Sequence, residues 1–270
     1  VSEKAPEYLI ARRVLLDALT ALDVHVDNLI LVGAQAVYHH AGEADLDVPP
    51  FTTDGDLAIN TRGLAGVPEI GLVLRTAGFR PGPNPGHWVS SGDVAVDLMV
   101  VPHQSGTTSA SARSARIAPH EKLTARVARG LEPALVDNKH VTIAAIEPGD
   151  ARTFEIRVAG PAALLTAKAI KISERLEQAD IRPDRLKEKD ALDAFRILQA
   201  IDTSELVRGF ELHREDEHAA AVTAEAIEVY RRHASTPQSR IALLAASGAQ
   251  GDPTIAPAFA ALVVELLAVI

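Results

Sequence analysis

The feature that most constrains this chain is a change of hydrophobic period near Gly160. Ahead of it, short β-rich apolar runs alternate with helical stretches; after it, from residue 161 to residue 270, the apolar spacing is helical almost throughout. Leu9, Val14, Leu15, Leu16, Leu19 and Leu22 recur at helical spacing, so residues 5–22 read as an amphipathic helix that covers a sheet. Leu29 to Val32 form a strand ending at Gly33, and the Ala-rich residues 34–41 form a helix. Residues 42–53 are turn-rich and acidic, 54–59 alternate as a strand does, and 67–77 read as a helix closed by Gly78. Two hairpins follow: residues 87–90 with 94–101 around Ser91-Gly92-Asp93, and 140–146 with 154–158 around Pro148-Gly149-Asp150. Pro161 suits a first helical position, and the helices behind it break at Arg182-Pro183, at 235–237 and at 248–253. The expected architecture is a mixed α/β (α+β) domain over 1–158, with helices flanking a mixed sheet, and a helical domain over 159–270.

Composition removes several classes of function. The 270 residues are 47% apolar and 23% charged, so a sizeable core is available and collagen-like or disordered readings fail. With no cysteine, disulfide scaffolds, thiolate zinc sites, iron–sulfur clusters and cysteine nucleophiles drop out. A formal charge of −9 argues against a general nucleic-acid coat. Residues 1–25 scatter Glu3, Glu7, Arg12, Arg13 and Asp17 among leucines instead of showing a signal peptide's order, and residues 255–270, with Pro257 and Glu265, fall short of a bilayer span. The expectation is a cytoplasmic protein that engages no membrane.

Chemistry concentrates in three aspartates. On a strand, Asp54 and Asp56 point to one face about 7 Å apart, and Asp97, in the β-like run Val96-Asp97-Leu98-Met99, can arrive from a neighbouring strand. Three converging carboxylates repel one another without a cation and suit Mg²⁺; alternatively, Asp97 ends a buried strand and Asp-x-Asp is a chance pair. Gly33-Ala34-Gln35-Ala36 at a helix start offers backbone N–H groups and little side-chain bulk, as a triphosphate requires, although Gly33 can equally serve only to turn the chain.

Taken together, Leu31-Val32-Gly33-Ala34-Gln35-Ala36-Val37-Tyr38-His39, Thr53-Asp54-Gly55-Asp56-Leu57, Val96-Asp97-Leu98, Leu164-x-x-x-Lys168 and Lys187-x-Lys189-Asp190-x-x-Asp193 resemble the nucleotidyltransferase superfamily. Within it the helical pair is similar to the AbiEii-type toxins of abortive-infection and toxin–antitoxin systems. The resemblance runs from about residue 25 to 200. Ala34 departs from it where many members carry Ser, and Gly55 is smaller than usual between the aspartates. It implies the nucleotidyltransferase fold, Mg²⁺ or Mn²⁺ held by Asp54, Asp56 and Asp97, an NTP substrate bound at Gly33, Ala34, Gln35 and Lys168, and Asp190 orienting Lys168 or the acceptor. It also implies transfer of a nucleoside monophosphate to RNA, the acceptor end of tRNA, with a cognate antitoxin as partner and the site between the two domains. Without it, Lys168 with Lys171 and Asp190 with Asp193 read as solvated helix faces.

Other residues carry weaker signals. Lys122, Arg126 and Arg129, at helical spacing behind Arg113 and Arg116, form a basic face that can meet RNA phosphates or merely be solvated. His39 and His40 suit capping, Trp88 suits the core ahead of base stacking, and Ser109, Ser111 and Ser114 lack a His-Asp pattern. Three functions follow: a nucleotidyltransferase acting on RNA, the same catalytic core acting on a small molecule such as an antibiotic or on a protein, and a non-catalytic nucleotide-binding module. A −9 chain suits a small cationic acceptor at least as well as RNA; the basic face tips the balance to RNA.

Overall fold

The computed structural model describes residues 5–42, 48–109 and 111–270. Part of the acidic stretch 42–53, residues 43–47, lies outside them, as does Ala110 of the Ser/Thr-rich loop. The elements in chain order are α1 (Pro6–Ala21), β1 (Leu29–Val32), α2 (Gly33–Ala41), β2 (Asp54–Ile59), α3 (Ile70–Thr76), β3 (Arg80–Pro81), β4 (His87–Val89), β5 (Ala95–Val100), β6 (Arg126–Val127), β7 (Asn138–Ala144) and β8 (Thr153–Ala159). They continue with α4 (Pro161–Glu177), α5 (Glu188–Ala200), α6 (Thr203–Arg214), α7 (Glu217–His233), α8 (Arg240–Gly248) and α9 (Ile255–Leu267). Among the described residues no helix is long and apolar enough to cross a membrane.

The chain divides into two compact units. The sheet unit comprises residues 1–36, 50–129 and 138–159; the helical unit comprises 37–49, 130–137 and 160–270. In the sheet unit the strands run β3-β4-β5-β2-β1-β8-β7, with β6 attached to β5. The sheet is mixed: β2 pairs with β5, β1 with β8 and β5 with β6 in parallel, while the remaining neighbours are antiparallel. Helix α1 packs Leu15 and its neighbours on β2 and β5. Gly55 is what allows this approach, because a Cβ there would stand 3.2 Å from Leu15. Gly55 faces α1, so by strand alternation Asp54 and Asp56 face away from it. In β2 and β5, otherwise buried along their length, Asp54, Asp56 and Asp97 are the half-buried positions.

Two expected elements differ. Helix α3 begins at Ile70 rather than 67, because Pro68 cannot continue a helix backwards and Glu69 caps it, accepting from the Leu72 N–H at 2.7 Å. The basic segment 113–129 is not a helix. Its backbone is spent on sheet-like partners, with Ala115 N–H to Ala125 O, Val127 N–H to Arg113 O and Ala128 N–H to Val100 O, which leaves none for i→i−4 bonding. Lys122, Arg126 and Arg129 therefore do not share a helical face.

In the helical unit, α4 is surrounded by α5, α6, α7 and the turn Glu132–Leu135, and α5 packs on α8 and α9. Phe195 meets Phe259 edge to face at 5.9 Å between ring centres. The residue preceding α4 is Gly160, which has no capping side chain, so Asp137 caps that end from a distance, accepting from the Ala163 N–H at 3.2 Å. His213 donates from Nε2 to Asp137 at 3.3 Å, which leaves its Nδ1 to accept from the Thr223 hydroxyl at 2.9 Å. Gly209 of α6 faces this cluster: an added Cβ would come 2.5 Å from the Ala162 Cβ and 3.1 Å from an Asp137 oxygen. Glycine inside a helix ordinarily costs about 1 kcal/mol relative to alanine. Here the overlap reverses the sign, and Gly209→Ala is expected to destabilise by about 1–3 kcal/mol in urea denaturation; a gain in stability would show that α4 and α6 have room to separate.

Candidate functional site

The sheet unit gathers its polar side chains by register. Asp56 stands directly opposite Asp97 across the parallel β2/β5 pair, and His87 directly opposite Asp97 across the antiparallel β4/β5 pair. Cross-strand partners share a face, so Asp54, Asp56, Asp97 and His87 occupy one side of the sheet. Arg126 joins them, since its partner Met99 lies two residues beyond Asp97.

Each side chain has a defined setting. Asp54 Oδ1 accepts from the Thr52 hydroxyl at 2.8 Å, and its main-chain carbonyl accepts from Gln35 Nε2 at 3.0 Å. Gln35 in turn accepts from Arg12 Nε at 2.7 Å, so its buried side chain ties α1 to the start of β2. The expected nucleotide contact of Gly33, Ala34 and Gln35 is through their backbone N–H groups, which this side-chain bond does not involve. Asp97 is held at both oxygens, by His87 Nδ1 on Oδ1 at 2.6 Å and Arg126 Nη2 on Oδ2 at 3.3 Å. An ionised carboxylate only accepts, so His87 carries its proton on Nδ1. Gly33 begins α2 at φ +65°, a conformation that favours glycine, and a Cβ there would overlap the Asp56 carboxylate. The helix start and the second aspartate thus meet because residue 33 has no side chain.

Among the described residues no three acidic or imidazole side chains converge on one point as metal ligands do. The donor set is nevertheless that of a hard cation: carboxylate oxygens from adjacent strands on one face, with side-chain bulk withheld at Gly33 beside Asp56. By chemistry and by face Asp54, Asp56 and Asp97 are hard-cation donors, although among the described residues they do not converge on one point.

The helical unit carries the second set of expected residues, and they are not solvated. Lys168 is buried and donates to Asp190 at 2.9 Å and to Asp193 at 2.6 Å. Lys171 reaches Asp190 at 3.0 Å and Arg175 reaches it at 2.5 Å, while the Tyr38 hydroxyl donates to Asp193 at 3.3 Å. Burial alone would push the Asp190 carboxyl up, but Lys168, Lys171 and Arg175 outweigh it and hold the group well below the usual carboxylate range. For Lys168, burial favours the neutral amine, and Asp190 with Asp193 overcome that and raise its pKa. Arg196, also buried, stacks over the Tyr38 ring and donates to Val48 O, and among the described residues its Nε and Nη1 find no partner.

The remaining expected residues share no helical face. Arg113 is exposed and donates to Asn84 at 2.9 Å, and Arg116, Lys122 and Arg129 are exposed along an irregular segment, whereas Arg126 is turned to Asp97. Trp88 is core, with Nε1 donating to Thr124 O. Sequence reasoning missed His87, Arg175, Tyr38 and Arg196. For His87 a signal existed: counting outward from the turn centred on Gly92 pairs residue 87 with residue 97. No protein-family model, curated protein or solved structure matches this chain.

Removing one member of a buried ion network leaves uncompensated charge, at a cost of about 3–5 kcal/mol. Asp190→Asn is expected to lose stability on that scale at neutral pH. Since the folded-state pKa of Asp190 lies below the unfolded value of about 3.9, its contribution is full above that value and declines as pH falls further. In denaturant titrations the gap between the two proteins should therefore be constant above about pH 4 and narrow progressively as pH falls further, whereas a pH-independent gap would place the stabilisation outside the ionised carboxylate.

Proposed function

We propose that this protein is a metal-dependent nucleotidyltransferase with the nucleotidyltransferase fold, transferring a nucleoside monophosphate from an NTP to a hydroxyl acceptor. The observation that carries the reading is the β2/β5 register, which sets Asp56 beside Asp97 with Asp54 on the same face, next to a glycine-started helix. That joins the order of segments in the resemblance to AbiEii-type toxins with a donor set of the right chemistry.

In the proposed reaction the acceptor oxygen bonds to the α-phosphorus, the bond to the β-phosphate breaks, and pyrophosphate leaves. Asp54, Asp56 and Asp97 would hold Mg²⁺ or Mn²⁺, which when bound neutralises phosphate charge and lowers the pKa of the attacking hydroxyl. The backbone N–H groups of Gly33, Ala34 and Gln35, at a helix start, favour an anionic phosphate. By resemblance alone Lys168 is assigned to the phosphates and Asp190 to orienting it; within the helical unit the two stand 2.9 Å apart.

The toxin resemblance names RNA, the acceptor end of tRNA, with a cytoplasmic setting and a cognate antitoxin. A second reading, transfer to a small cationic molecule or a protein, gains from a specific observation: the basic helical face that favoured RNA does not form, and Arg126 is paired with Asp97. A third reading, a non-catalytic nucleotide-binding module, would use the same carboxylates without transfer, and the labelling experiment separates it from the other two.

Incubation with each α-labelled NTP, Mg²⁺ and either total tRNA or a small hydroxylated polycation decides the acceptor by where label goes. Label on tRNA supports the first reading, label on the polycation the second, and no label under any condition removes the transferase proposal. Asp56→Asn is expected to abolish transfer while leaving the circular dichroism spectrum in place and, by relieving repulsion, raising the melting temperature of the metal-free protein; a fully active Asp56→Asn protein would take the metal role away from this aspartate.

A further inference from the structure

Strand β5 is paired on one side by two short strands in succession: β4 covers Ala95 to Asp97, and β6 covers Met99 and Val100. They meet at Gly86. Its N–H donates to Leu123 O at 2.8 Å and its carbonyl accepts from the Leu98 N–H at 2.7 Å. Its φ of +74° favours glycine, and a Cβ at this point would drive into Leu98 O and the Arg126 N–H. A glycine seam therefore brings the first residue of β4, His87, and the first residue of β6, Arg126, to the two oxygens of one carboxylate, Asp97. Among the described residues the buried Arg126 Nε has no partner, and the contact that its half-exposed guanidinium makes with Asp97 is through Nη2.

We propose that His87 and Arg126 are positioning residues for Asp97, a two-point clamp that fixes the plane of its carboxylate so that the remaining lone pairs face Asp56. The proposal rests on the transferase reading for its kinetic consequences, but the clamp itself is a matter of orientation. A carboxylate on a strand turns freely about its last torsion unless both oxygens are held. Here the short bond from His87 Nδ1 sets one oxygen and the guanidinium the other. What the imidazole contributes is a donor at the Nδ1 position. Asparagine can present an amide N–H in nearly that place; glutamine reaches only toward the Nε2 position; alanine presents nothing. The series separates orientation from any chemistry of the ring itself.

The test is a comparison of wild type with His87→Asn, His87→Gln, His87→Ala and Arg126→Gln in the full chain. Three measurements serve: kcat and KM for NTP, Mn²⁺ affinity by electron paramagnetic resonance, and emission of the sole tryptophan. Trp88 follows His87 in β4 and is hydrogen-bonded to Thr124 O near β6, so its emission reports whether the seam is intact. With native emission, His87→Ala, His87→Gln and Arg126→Gln are expected to lower kcat or Mn²⁺ affinity about 10- to 100-fold, the range for groups that orient metal-binding carboxylates, with KM for NTP little changed. His87→Asn should recover most of the loss. Wild-type kinetics and Mn²⁺ affinity in His87→Ala overturn the clamp, and so does an Asn variant no better than Ala while its Trp88 emission is native. If wild type transfers nothing but binds Mn²⁺, with loss in His87→Ala and recovery in His87→Asn, the clamp stands and the transferase reading falls. Neither transfer nor Mn²⁺ binding by wild type overturns both.

Discussion

The parallel, in-register pairing of β2 with β5 is the constraint on which the candidate site depends. Side chains alternate along a strand, so one residue of slip would send Asp97 to the face covered by α1 and bury a carboxylate against leucines. Register is fixed from the other side of the sheet: Gly55 lies between the two aspartates and admits Leu15, while Leu57, Val96 and Leu98 are fully buried. Apolar packing on one face thus specifies which polar groups meet on the other. Gly55, which in the sequence is merely smaller than usual between the aspartates, is in the fold the contact that lets α1 close on β2.

The helical unit solves a different problem. Lys168, Asp190 and Asp193 are buried together, and an ion network removed from water is weak as a source of net stability, because desolvation consumes most of the attraction. Its strength lies in specification. Lys168 can satisfy two carboxylates one turn apart on α5 only when α4 lies against that face, so any other rotation of either helix leaves charge unpaired. Arg196 is less fully paired: among the described residues two of its buried nitrogens find no partner, and burial lowers its pKa. It keeps one backbone acceptor and the face of Tyr38 in partial compensation.

Much of this was legible in the residues. Helical period along 5–22, the apolar run 29–32 before Gly33, the Asp-x-Asp strand and both hairpins are local patterns that packing reinforces, so they appear close to where the sequence puts them. The failures share a cause. Spacing of Lys122, Arg126 and Arg129 fits a helix, but Arg126 and Val127 pair with β5, a partner far away in sequence that no local pattern announces. Lys168 and Asp190 look solvated on each helix taken alone, and become buried only because each is the other's partner. Local patterns state where a charge sits along an element; they do not state what the opposite element will bring to it.

The same distinction bears on what the acidic face can recognise. In a chain of formal charge −9, a polyanion gains most where basic groups are fixed together, since only then do several phosphates displace counterions at once. Arg113, Arg116, Lys122 and Arg129 are exposed, yet no regular element aligns them, and Arg126, the one that a strand does place, is turned to Asp97. A small cation or a nucleotide carrying its own divalent ion needs no such array: a few carboxylates in register suffice to hold the ion, and a helix start suffices for the phosphates. On the transferase proposal the nucleotide would draw on one sheet face and one glycine, whereas the exposed cations Arg113, Arg116 and Lys122 lie on the segment between β5 and β6, whose spacing is set by the backbone's turns and not by helical or strand period.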